Sequence, residues 1–86
     1  MIYNDESRSV EDRAESLFES GQENLYATYC GPDMDMDAVD AHADAGAMVV
    51  GAAEGLLNWN TNDSDAVFAR VEAMAARRYP QLASSA

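Results

Sequence analysis

SVEDRAESLFESGQENLYATYCGP, residues 9–32, carries one helix from its cap to its stop. Ser9 and Asp12 have the spacing of a capping box, with Ser7 as an alternative start. Val10, Ala14, Leu17, Phe18, Gly21, Leu25 and Tyr29 then recur at helical spacing and form one apolar stripe. Cys30-Gly31-Pro32 ends it: glycine suits the position after a helix, and proline cannot continue the hydrogen-bond ladder. The first helix is predicted over about 10–29. Gly21 lies on the buried stripe and there weakens the helix by roughly 1 kcal/mol relative to alanine. Its place admits a close neighbour or marks a bend.

The same reading extends in the C-terminal direction. Asp33, Asp35 and Asp37 favour a helix N-terminus through capping and the macrodipole. A second helix over about 35–58 follows, with Val39, Val49, Val50, Leu56 and Leu57 on its apolar side. Its opposite side carries Asp33, Asp37, Asp40 and Asp44, then the small residues Ala47, Gly51 and Gly55. Small residues at this spacing let another backbone approach closely. Asn58–Asp63 is a polar turn, and Asp63 or Ser64 caps a third helix over about 64–79. Val67, Phe68, Val71, Met74 and Ala75 form its inward stripe, and Pro80 closes it. Ile2 and Tyr3 are expected to form a short N-terminal arm, and residues 81–86 a frayed tail. The expected fold is a single all-α domain over residues 1–86, a small three-helix bundle.

Charge narrows the function classes. The chain has 16 acids against five arginines, with no lysine, and a formal net charge of −11. Residues 1–65 hold fifteen of the acids against Arg8 and Arg13, a net of −13; residues 66–86 carry a net of +2. Such a field repels nucleic acid and anionic membrane and attracts basic surfaces. Arg70, Arg77 and Arg78 offset the dipole of the third helix or pair with acids elsewhere; three arginines make no nucleic-acid patch here. Large core-forming residues are few and alanine is abundant. A homodimer, or docking on a partner, is therefore an expectation of the composition. The lone Cys30 forms no internal disulfide, and residues 1–6 lack the pattern of a signal peptide. The longest apolar run, 45–53, is too short to span a bilayer. A cytoplasmic location is expected.

The acids form two candidate binding rows. Glu11, Glu15, Glu19 and Glu23 step by four along the first helix, and Asp33, Asp37, Asp40 and Asp44 make the second, which ranks first as the contact because it adjoins a turn and is followed by small residues that let a partner approach. Four residues rise about 6 Å, close to twice the ~3.4 Å axial phosphate spacing of one DNA strand. Like charges at this spacing are destabilising by roughly 0.2–0.5 kcal/mol per pair, so a row without a use would be better mixed. The rows are read as a nucleic-acid-like face that occupies a basic groove of a nucleic-acid-binding protein. Trp59, Tyr26 and Met48 stand near the edges of the polar faces: Met48 and Trp59 are read as interface anchors, with a lid over the bundle as the alternative for Trp59. In size and charge alone, the chain resembles the small acidic inhibitors that phages direct against restriction or CRISPR effectors; a phage protein of that kind would act in the host cytoplasm. Two alternatives stand beside this one. The charge is a solvated face suited to a high-salt cytoplasm, or the Ala47/Gly51/Gly55 seam makes a structural homodimer.

Catalytic and metal readings are weak. Asp33-x-Asp35-x-Asp37 resembles the opening of an EF-hand loop, but Ala38 stands where glycine makes the turn, Asp40 where an apolar residue packs, and Asp44 where glutamate closes the loop. His42 has no ligand three or four residues away, and Cys30 has no nearby histidine to activate it. No enzyme, cofactor or metal is expected.

Overall fold

The structure, a computed structural model, describes residues 1–84. It is all-α, with five helices: α1 Val10–Tyr29, α2 Met36–Ala41, α3 Ala45–Leu56, α4 Ser64–Arg78 and α5 Pro80–Ser84. A single 3-10 turn, Ile2–Asn4, precedes them.

α1 has the predicted limits. Ser9 is its N-cap, and the Ser9 hydroxyl accepts the Asp12 N–H at 3.1 Å. Its stop differs from the expected glycine cap. Cys30 is extended, with φ −69° and ψ 141°, and Gly31 does not adopt positive φ. The chain instead turns through Gly31–Met34, whose ends exchange backbone hydrogen bonds of 2.9 and 3.2 Å. Asp35 then caps α2 by accepting the Ala38 N–H at 2.9 Å.

The predicted second helix is two. α2 stops at Ala41, and His42 is extended with φ −65° and ψ 139°. Asp40, His42 and Asp44 cluster at the break, and short polar side chains compete with the helical ladder for backbone groups. His42 Nδ1 accepts the Asp44 N–H at 3.2 Å, a bond within the break. The bend lets α2 turn Asp40 inward while α3 runs against α1. Close approach there depends on Gly21: a Cβ at that position would lie 2.8 Å from the Val49 carbonyl oxygen.

The C-terminus also departs from expectation. α4 ends at Arg78, and Pro80 begins α5, the helix position proline tolerates best. Gly46 admits this segment: a Cβ on it would lie 2.9 Å from Tyr79 Cβ and 3.1 Å from Leu82 Cβ. Residues 80–84 are thus a docked helix and not a frayed tail; 85–86 lie outside the described residues. The short N-terminal arm is a 3-10 turn that buries Tyr3.

The core has two neighbouring clusters. One joins Tyr3, Ala14, Leu17, Ala53, Leu57, Val67 and Val71; the other joins Leu25, Val39, Ala45, Val49, Ala75 and Tyr79, and Phe18 packs against both. The largest side chain in the interior is Arg13, 1% exposed. Its Nε donates to Tyr3 O at 3.2 Å, and its terminal nitrogens to Asn62 O at 2.6 Å and Thr61 Oγ1 at 2.9 Å. One guanidinium thereby ties the N-terminal turn and the 58–63 turn to α1.

The glycines make opposite predictions. Gly21→Ala should lower stability by about 1–3 kcal/mol, because its methyl group meets a backbone oxygen that cannot swing away. Gly51 and Gly55 are exposed with open space before them. Alanine at either should raise stability by roughly 0.5–1 kcal/mol through helix propensity. Urea denaturation of the three single variants checks both signs.

Candidate functional site

The α1 row is displayed as predicted. Glu11, Glu15, Glu19 and Glu23 are all exposed, on the side away from Ala14, Leu17 and Gly21. Arg70 takes up Glu11, with Nη2 at 2.5 Å and Nε at 2.7 Å from Oε2. Both partners are about half exposed, where such a pair stabilises little. Glu15, Glu19 and Glu23 have no ion pair among the described residues.

The second row does not exist as a face. The break at His42 separates Asp44 from the others, and Asp33 lies in the Gly31–Met34 turn. Asp33, Asp37 and Asp44 are exposed, but Asp40 is buried at 9% exposure. Its carboxylate is the hub of a polar network joining four helices. The Tyr26 hydroxyl donates to it at 2.8 Å, the Tyr79 hydroxyl at 3.0 Å, and the Arg78 guanidinium at 2.5 Å. Gln22 from α1 donates to the Tyr79 hydroxyl at 3.1 Å, and Gln81 from α5 to the Asp40 carbonyl at 3.0 Å. Arg78 also lies over the Tyr79 ring, 5.2 Å from its centroid. A carboxylate so fully engaged is a structural anchor, and Asp40 is withdrawn from the predicted contact set.

Burial first, and then the hydrogen bond to Asp40, push the Tyr26 phenol well above its ordinary value of 10.0. The folded state therefore holds this proton more tightly than the unfolded state. Its contribution is complete below about pH 10 and is lost as pH rises past it towards the folded value. The stability difference between the native chain and Tyr26→Phe should shrink across that alkaline range. Denaturation midpoints at pH 8 to 11, estimated from the ordinary tyrosine value, check this.

Of the two proposed anchors, Trp59 is exposed and Met48 is half-buried. Trp59 is 42% exposed, but its ring packs on Phe68 with centroids 5.1 Å apart, and Nε1 donates to Glu54 O at 3.0 Å. It lids the bundle. Met48 is half-buried and packs against the second core cluster. Cys30 is half-buried against the same cluster. No three His, Cys, Asp or Glu side chains converge as metal ligands among the described residues. No helix among them is long and apolar enough to cross a membrane.

A feature absent from the sequence reading lies beside Met48. Leu25 and Tyr29 of α1, Val39 and His42 of the α2 end, and Met34 and Met48 line a groove of about 140 Å³. Tyr29, assigned to the buried stripe by its spacing, is 48% exposed; Met34 and Met36 are 38% and 55% exposed. The signal is present in Asp33-Met34-Asp35-Met36-Asp37, where two methionines alternate with the aspartates that draw attention as caps, acidic row and loop ligands. Comparison with protein-family models, curated proteins and solved structures finds no match for this chain.

Proposed function

We propose that this chain is a non-catalytic protein-binding domain. It presents the α1 carboxylates to a basic groove of a nucleic-acid-binding protein and thereby excludes nucleic acid from that groove. The reading rests on Glu15, Glu19 and Glu23: exposed, one turn apart, and unpaired among the described residues. The chain's own cations are largely committed elsewhere, since Arg13 is buried, Arg70 holds Glu11 and Arg78 holds Asp40. Repulsion along the row is thus left standing where a basic partner would relieve it. An inhibitor of the kind phages direct against nucleic-acid-cutting effectors fits this geometry.

The test has two stages. Partners are captured from nuclease-treated lysate at low and high salt, and each purified partner is then loaded with labelled nucleic acid. The chain should displace the label in a salt-sensitive manner. Nucleic acid and chain held together on the same partner would refute the mimicry.

A homodimer is the second reading, supported by the exposed Ala47, Gly51 and Gly55 on α3, with open space before both glycines. Gly51→Leu with Gly55→Leu should then change the sedimentation mass. An unchanged monomeric or dimeric mass would remove that seam as an interface.

A further inference from the structure

We infer that the groove beside α2 is a docking site for a basic amphipathic helix, separate from the α1 row. Three large apolar side chains, Tyr29, Met34 and Met36, are exposed within one short stretch, and Met48 extends the apolar lining onto α3. An apolar cavity of roughly 150 Å³ accepts a benzene ring. A groove of about 140 Å³ therefore takes one leucine or phenylalanine side chain as an anchor. Methionine suits such a surface because its flexible, polarisable side chain adapts to the incoming group. The groove runs between the end of α1 and the start of α3, the setting in which a helix lays its apolar face into a protein.

Charge selects the occupant. Asp33, Asp35 and Asp37 bracket Met34 and Met36 in the chain, and Asp44 follows His42 by two residues; all four are exposed. Residues 14–69 contain eleven acids and no arginine or lysine. Arg78, the cation nearest in the fold to α2, is bound to Asp40. An acidic or neutral helix would leave Asp33, Asp37 and Asp44 without an ion pair. A helix with lysine or arginine flanking its apolar stripe would meet them while its anchor enters the groove.

The probe is a labelled 18-residue (roughly five-turn) amphipathic peptide of leucine and lysine. Its control is a scrambled peptide of identical composition. Fluorescence anisotropy should show saturable one-to-one binding of the amphipathic peptide, weakening with salt, and roughly tenfold weaker binding of the scramble. Tyr29→Gln with Met34→Gln, both at exposed positions, should lower affinity by a similar factor while circular dichroism stays native. Asp33→Asn with Asp37→Asn should weaken binding and flatten its salt dependence. Glu15→Gln, Glu19→Gln and Glu23→Gln together should leave it largely unchanged, which separates this site from the α1 row. Equal binding of the scramble, loss of binding only in the α1 variant, or no binding of either peptide overturns the inference. So does a chain dimer that the Tyr29/Met34 variant abolishes, since a second copy would then fill the groove.

Discussion

Replacing Arg13 with alanine is expected to remove about 3–5 kcal/mol of stability. A domain of this length has roughly 4–13 kcal/mol in all, so the variant should sit near the edge of folding. The side chain is 1% exposed and donates to Tyr3 O, Asn62 O and Thr61 Oγ1. Truncation leaves a void the length of an arginine and three acceptors without their donor. Two neighbouring contacts depend on the same clasp: Asn4 Oδ1 accepts the Asn58 N–H at 2.8 Å, and Glu6 Oε1 accepts the Asn62 N–H at 2.6 Å. Arg13→Lys should recover little, because an ammonium cannot reproduce a planar fork aimed at three separate acceptors. Urea denaturation gives the magnitude, and limited proteolysis should show the N-terminal turn released first. A loss below about 1 kcal/mol, the value of an ordinary hydrogen bond, would mean that water replaces the guanidinium and that the clasp is dispensable.

Asp40→Ala is the second large effect, about 2–4 kcal/mol. Most of it comes from the tyrosine hydroxyls, because Arg78 is 49% exposed and its share is screened by solvent. Asp40→Asn keeps the shape and one acceptor oxygen, and should lose about half as much. The damage should be local. α2 is only six residues long and α5 five, too short to persist alone, so both should lose amide protection before α1 does. Hydrogen exchange resolves that order. Uniform loss of protection, or an Asp40→Ala variant as stable as the native chain, would contradict the network's role.

These two residues also mark where sequence reading succeeded and where it stopped. α1 was readable in full because its apolar period and its punctuation agree at both ends, and its exposed glutamates follow from the same period. The break in the second helix is not legible from period, which runs on from 35 to 58 through His42. Asp40 fits an outward acidic row on that ruler, yet its partner Arg78 lies 38 residues away in the chain. Arg13 stands at the edge of the α1 stripe, and its acceptors Thr61 and Asn62 are 48 and 49 residues distant. A charge whose burial depends on remote acceptors leaves no local mark. Gly21 was readable as a place of close approach; that the neighbour would be the Val49 backbone was not. The acidic α1 face was thus foreseen from sequence, whereas the apolar groove became visible only when the turn at Gly31–Met34 brought Met34 beside Met48 and Tyr29.

The α1 face itself is tested most directly by comparing the native chain with the Glu15→Gln, Glu19→Gln, Glu23→Gln variant. Affinity for the captured basic partner is measured across a salt series. Glu11 is left in place because it holds Arg70. The native chain should bind with a steep salt dependence. The variant should bind roughly tenfold or more weakly at low salt, with a flatter slope. Its folding stability should be equal or slightly higher, since repulsion along the row is relieved. Equal affinity and equal slope for the two chains would show that these carboxylates only solvate the helix, and would contradict the account.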